Sequence, residues 1–317
     1  MALVASCFSF LFLLCLALTT HSLSTMNSCE QDLLEFSLNL EFLEAEFFLY
    51  GALGYGIDAI SPALANGGVA PTGVKKANLS PITRDIMIQF GYQELGHLRA
   101  IQNITGGGIP RPPMDLSSSH FATLMERAMG VPLIPPFDPY IDELNFLLSA
   151  YMLPIVGLTG YVADFNYINT SKTTTVARLL AGLLGIESGQ DSIIRALLYP
   201  KSLLRVWPYQ YTVADFTNRI SNLANSLGHN GIKEAGLFVF PPNRNGGLTP
   251  GNILNGDSNF LSFDRSPQEI LRILYGTGNE SRPGGFFPSG AGGNIARYLR
   301  NIGLINRPCT IQDTSGS

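Results

Sequence analysis

The sequence predicts an all-α protein: a four-helix bundle with a long crossover connection, plus additional C-terminal helices and irregular segments. Three observations predict it. Four long stretches carry apolar residues at helical spacing. A Pro-rich connection, Pro110 to Pro139, too long for a simple turn, separates the second stretch from the third and fits a crossover from one end of a bundle to the other. The glycines near the C-terminus, Gly284-Gly285 and Gly290-Ala-Gly-Gly293, follow no strand, so they read as loop conformers and not as phosphate cradles.

The first helix is expected over Gln31 to Tyr55, amphipathic, with Leu33, Leu34, Phe36, Leu40, Phe47 and Phe48 set among Glu residues and a stop at Gly54 to Gly56. Ser61-Pro to Gly73 reads as a loop. Ser80-Pro81 opens the second helix, Ser as N-cap and Pro in the first turn, and Gly106-Gly-Gly108 ends it. One short helix, His120 to Met129, is expected inside the crossover. The third helix runs from Asp142 through Ile168 with a kink at Pro154, where a backbone hydrogen bond is lost. The turn Asn169-Thr-Ser-Lys-Thr-Thr leads to the fourth, Val176 to Tyr199, closed by Pro200. Tyr211 to Leu227 is a fifth helix, and Gly228 to Phe263 an irregular surface segment. Ser266-Pro-Gln-Glu269 starts one more helix, and Asn294 to Asn301 a last short one. The division expected is 28–205 for the bundle and 206–317 for an extension packed on it.

Chemistry concentrates in three of these helices. Glu94-Leu-Gly-His97 places a Glu and a His on one helix face, one turn apart, where both can ligate one metal ion. Leu38-Asn-Leu-Glu-Phe-Leu-Glu44 offers Glu41 and Glu44 on one face, while Glu46 falls nearly opposite and reads as a solvated or capping charge. Glu187-Ser-Gly-Gln190 repeats the Glu94 pattern with Gln in place of His. His120 and His229 lie in loop-like contexts with no matching carboxylate and receive no role. Tyr50, Tyr92, Tyr151 and Tyr161 read as packing residues with their hydroxyls satisfied. No Gly-x-Ser-x-Gly elbow occurs.

These segments resemble the ferritin-like superfamily, and more closely the secreted desiccation-related proteins of plants. Leu38 to Phe48 is similar to that family's first-helix motif, and Gln93-Glu-Leu-Gly-His97 to its second; with the crossover and Ile186-Glu-Ser-Gly-Gln190 the likeness covers roughly residues 28 to 275. The resemblance implies a bundle whose metal-bearing members hold two irons with a Glu on each of two helices and a Glu-x-x-His on each of the others. It places Glu41, Glu94, His97 and Glu187 at ligand positions. Two positions depart: Gln190 stands where many relatives have His, and Leu153-Pro-Ile-Val-Gly157 holds no carboxylate. Four Glu balance two divalent cations, whereas Glu41, Glu94 and Glu187 supply three charges; Glu44 and the carbonyl oxygen of Gln190 are the available supplements. Iron or another divalent metal is therefore the cofactor to expect, if any binds. The expected function is that of a stress-associated protective or structural protein with a degenerate or weak metal site, and not an enzyme; the alternative is an iron-binding oxidoreductase or iron handler. A wall- or carbohydrate-binding role for the aromatic segment Phe238 to Phe263 is the third reading.

With 45% hydrophobic and 14% charged residues the chain can bury a sizeable core. Its 20 basic and 24 acidic residues, without Lys/Arg runs, argue against nucleic acid as a partner. Residues 1–24 read as a secretory signal peptide, an apolar run followed by Ser22 and Ser24, and no later segment is apolar for long enough to span a bilayer. Removing that leader leaves Cys29 and Cys309, which an oxidising compartment pairs unless their surroundings hold them apart; so long a closed loop stabilises by about 4 to 5 kcal/mol. Four Asn-X-Ser/Thr acceptors begin at Asn78, Asn103, Asn169 and Asn279, and Pro81 follows the first directly, which leaves Asn103, Asn169 and Asn279 as glycosylation sites. The destination expected is extracellular, apoplast or cell wall, with the vacuole as alternative and wall components as possible partners. The oligomeric state stays open, and the large C-terminal portion argues against a cage.

Overall fold

The computed structural model describes residues 26–168, 174–239, 251–301 and 308–309. The expected leader and the Asn169 acceptor lie outside them. Ten α-helices are described: α1 (Ser28–Leu53), α2 (Ile57–Ile60), α3 (Pro81–Thr105), α4 (Ser118–Met129), α5 (Glu143–Ala150), α6 (Pro154–Asp164), α7 (Thr174–Leu198), α8 (Val213–Gly228), α9 (Pro267–Leu274) and α10 (Gly293–Leu299). No strand occurs among the described residues, only isolated bridges. The all-α expectation holds.

The bundle consists of α1, α3, the α5–α6 pair and α7. Its centre is α1, which packs along α3, against α6, and under α10 of the extension. Amphipathic character was expected there, but from Leu33 to Leu49 all but one residue is buried, Glu41, Glu44 and Glu46 included. A helix covered on every side has no use for a polar face, so its carboxylates answer to interior partners. Asn27 caps it through a capping box with Glu30, and Gly54, at φ 89°, ends it in the left-handed conformation. Close approach of α3 is possible because position 91 is glycine; a methyl group there would stand 2.5 Å from Leu49.

Ser80 and Pro81 open α3, and Gly106 closes it. A short helix, α2, fills the stretch between the end of α1 and the expected loop, and the loop itself holds a 3-10 turn, Pro62–Ala65. The third helix differs more. Pro154 breaks it, so that α5 ends at Ala150 and α6 begins with Pro154 in its first turn, where the missing N–H costs nothing. Residues Glu143–Tyr167 are, by length and composition, apolar enough to cross a bilayer, contrary to expectation, but they are core helix buried in the bundle.

The crossover is held by Arg111, 2% exposed. Its guanidinium donates to Glu46 on α1, to both oxygens of Asp58 at 3.0 and 2.8 Å, and to the carbonyls of Val69 and Gly68 at 2.7 and 3.0 Å. Glu46 is therefore buried and not solvated, while its other oxygen accepts the Ile57 N–H at 3.3 Å and so caps α2. Helix α4 places His120 in its first turn, not in a loop, and carries α8 of the extension, which α9 covers. A second buried network joins α7 to this layer. Arg195 donates to the Tyr151 hydroxyl at 3.0 Å and to the carbonyls of Asn252 and Ile253 at 3.0 and 2.9 Å. Ser221, Glu234 and Arg265 continue it. Cys29 and Cys309 form a disulfide, Cα atoms 5.7 Å apart, tying the C-terminal end to the start of α1.

Candidate metal centre

Four helices each send a side chain to one point between them. Glu41 comes from the middle of α1, Glu94 and His97 from one face of α3, Glu187 from α7, and Tyr161 from α6. One ligand atom from each of Glu41, Glu94, His97 and Glu187 lies within 4.8 Å of the other three. The imidazole Nδ1 faces the acids: it is 2.9 Å from Glu41 Oε2, 3.1 Å from Glu94 Oε2 and 3.7 Å from Glu187 Oε1. The carboxylates are 1% exposed or less, and His97, at 8%, forms the side nearest solvent.

The surrounding residues hold these acids in place. Tyr161 Oη donates to Glu41 Oε1, and Gln190 Nε2 donates to Glu94 Oε1 and, at 3.1 Å, to Gln93 Oε1. Gln190 thus orients a carboxylate with its nitrogen and leaves its own Oε1 without a partner. Glu44 lies beside the four-residue cluster, 1% exposed, and its carboxyl finds no hydrogen-bond partner but that of Glu187.

Electrostatics follow from crowding acids in a dry space. Burial and the neighbouring Glu94 and Glu41 charges push the Glu44 carboxyl well above the usual range, and burial with Glu44 does the same to Glu187. Burial, then the Glu41 charge, raises Glu94 to about 8. Burial also raises Glu41, but the His97 charge and its hydrogen bonds overcome that and hold it low. For His97 burial favours the neutral ring, yet Glu41 and Glu94 outweigh it and push the imidazole up to about 12. Without a cation, then, the site stores protons on Glu44, Glu94, Glu187 and His97.

A divalent metal fits this donor set. Hard carboxylate oxygens with one imidazole suit iron or manganese, and the buried oxygens of Glu44 and Glu187, which face each other's carboxyl, are acceptors that a cation satisfies. Such atoms are costly when left alone.

The sequence-nominated residues Glu41, Glu44, Glu94, His97, Glu187 and Gln190 all meet in this one place. Of the tyrosines, Tyr161 belongs to the site, Tyr151 to the Arg195 network, and Tyr92 is 50% exposed on the outer face of α3. Two contributors escaped the sequence reading, Tyr161 as the partner of Glu41 and Gly157 one turn before it. Their spacing on α6, at the level where a third-helix carboxylate was sought, was the available signal. Asn103, on α3, and Asn279 are exposed.

Fold and site together define a ferritin-like bundle, and the ferritin-like domain family profile matches residues 30–200. The chain belongs to that family. Two curated relatives resemble it over most of their length. The ferritin-like catalase Nec2 of Nesocodon mauritianus is 49% identical over 285 residues, 89% of this chain and 90% of that protein. The desiccation-related protein PCC13-62 of Craterostigma plantagineum is 49% identical over 283 residues, 89% of each chain. No solved structure matches significantly.

Proposed function

We propose that this chain is a secreted, stress-associated ferritin-like protein whose buried carboxylate–histidine centre takes up a divalent transition metal, iron or manganese, and disproportionates hydrogen peroxide. The observation that carries the reading is the convergence of Glu41, Glu94, His97 and Glu187 within 4.8 Å, with the buried Glu44 carboxyl packed against that of Glu187. The name of the first relative, a catalase, supports the reaction, and that of the second, a desiccation-related protein, supports the setting. Gln190, from which a weak or degenerate site was expected, supports Glu94 with its amide nitrogen and keeps its oxygen free.

In the overall reaction two peroxides give one O2 and two waters, one peroxide being oxidised and the other reduced. A bound metal supplies the reversible electron transfer this needs. The chain supplies the rest. Glu41, Glu94, His97 and Glu187 hold the cation; Tyr161 and Gln190 fix two of those carboxylates by hydrogen bonds. The carboxyl of Glu44, buried beside these four ligands and not one of them, is placed to accept and return the protons that peroxide sheds and water needs. Burial keeps bulk water and larger reductants away.

Oxygen evolution from peroxide by the metal-loaded protein tests the reading. Activity at least a hundredfold above that of free metal, abolished by Glu94→Ala with His97→Ala, supports it; activity that survives both substitutions overturns it. One observation favours a second reading, a protective protein without catalysis: Tyr161 and Gln190 already partner Glu41 and Glu94 within the protein. A folded, metal-free protein that guards other proteins during drying equally well with and without Glu94 and His97 would select it.

A further inference from the structure

The chain's one tryptophan is not in its core. Trp207 is 80% exposed, in a turn where the Tyr209 N–H donates to the Val206 carbonyl at 2.8 Å. The loop that carries it leads from the end of α7 to α8. Ser202, Val206 and Tyr209 are buried and anchor it, whereas Leu203 and Leu204, 70% and 55% exposed, face outward with Trp207. Its backbone is held from behind: Val206 donates to Tyr211 at 2.9 Å, Val213 to Leu204 at 3.0 Å and Ala214 to Ser202 at 2.9 Å. Beside it stands the loop after α4, where Ile134 is 85% and Val131 39% exposed. The Tyr209 hydroxyl joins the two loops by donating to the Pro135 carbonyl at 2.9 Å, and Phe216 of α8 packs against both Tyr209 and Phe137. Both loops are thus fixed with apolar side chains pointing to solvent.

We propose that these two loops form a docking surface for a second copy of this chain, the patches of two copies meeting about a two-fold axis with Trp207 near its centre. Area supports this. Trp207, Leu203, Leu204, Ile134 and Val131 together expose on the order of 500 Å2 of apolar side chain, the range in which a patch on a monomer marks an interaction site. Two such patches face to face bury about 1,000 Å2 from these side chains alone, which reaches the lower bound for a specific interface before any rim contact is added. Charge selects the occupant. The loop after α7 is flanked by the exposed Arg205 and by Lys201, which also meets Glu143 at 3.5 Å. The loop after α4 is flanked by Glu126 and Asp138. Burial, then the charges of Asp138, Asp142 and Glu126, raises the Tyr209 hydroxyl, which places those acids around the junction of the loops. A two-fold axis sets the basic loop of each copy against the acidic loop of the other, so one surface complements itself. The same acids oppose docking on an anionic bilayer.

Trp207 reports on its own interface, being the only indole in the chain. The full-length protein is followed by sedimentation velocity and by tryptophan emission from nanomolar to high micromolar concentration. A monomer-to-dimer transition is expected, with a blue shift of the emission at the same midpoint, because the indole leaves water as the copies meet. Trp207→Ala is expected to raise the dimer Kd at least tenfold, and so is Ile134→Glu, which sets a charge in the apolar patch and leaves the reporter in place. A chain that stays monomeric throughout, or a dimer indifferent to both substitutions, overturns the proposal. So does an emission that shifts only when vesicles of phosphatidylcholine, with or without phosphatidylserine, are added, since the occupant is then a lipid surface. Circular dichroism establishes that each variant is folded, and if Ile134→Glu fails to fold, an unchanged Kd in Trp207→Ala overturns the proposal alone.

Discussion

Replacing Arg111 with Met should destabilise the protein by about 4 kcal/mol at pH 8, because it removes one member of a buried ion pair and leaves the other in place. The size follows from what the guanidinium touches. Glu46 is 0% exposed and would keep only the Ile57 N–H. The carbonyls of Val69 and Gly68 lose their donor as well. Asp58, whose side chain is 47% exposed, regains water and contributes little. The effect should depend on pH with a defined sign. Burial raises the Glu46 carboxyl even with Arg111 opposing it, and without Arg111 it rises further. A carboxyl raised on folding loses stability as pH climbs from its unfolded value toward its folded one, so the variant should lie closer to wild type at pH 4 than at pH 8. Urea unfolding at both pH values measures this. Adding Glu46→Gln should recover about half or more of the loss, since the stranded charge is then gone. A loss under about 1 kcal/mol, equal at both pH values and unaffected by the second substitution, would refute the argument that Arg111 holds the crossover through a buried charge.

Tyr161→Phe removes the hydrogen bond to Glu41 and should weaken metal binding roughly tenfold, the worth of one hydrogen bond to a charged group, with the helix content unchanged by circular dichroism. Metal affinity should rise with pH: binding must expel protons from Glu94, raised to about 8, and from His97, raised to about 12, so each proton released steepens Kd by tenfold per pH unit, most clearly between pH 6 and 8 by equilibrium dialysis. Reduction of Cys29–Cys309, 280 residues apart, should lower stability by about 6 kcal/mol at most in the chain-entropy limit, read as a shift in urea midpoint with and without a reductant; an unchanged midpoint would mean that the bond adds nothing.

Much of the scaffold was legible because local chemistry marks it. Ser80-Pro81, Gly106 and the Ser266 capping box are signals that act within a few residues, and the structure uses each as such. The ligand-type residues were legible for the same reason, since one-turn spacing is a local property of a helix. What stayed hidden is what depends on packing. α1 was expected to keep a polar face, yet it became the central helix, and only burial turns Glu46 from a surface charge into the partner of Arg111. Arg111 itself sits in a Pro-rich connection where no periodicity assigns it a direction. Pro154 was expected to kink one helix and instead starts a second, three residues after α5 has ended at Ala150. Tyr161 and Gly157 matter through the residues they face across the bundle; their spacing along α6 marks the level but not those partners.

The central claim is that the carboxylate–histidine centre binds metal in the native protein. Its most direct test is the metal content of the purified full-length protein, measured together with thermal unfolding before and after chelation, for the wild type and for Glu94→Ala with His97→Ala. The account predicts stoichiometric iron or manganese and a melting temperature that falls on chelation in the wild type alone, because a ligand bound only to the native state must stabilise it. Sub-stoichiometric metal, with a melting temperature indifferent to chelation, would contradict it.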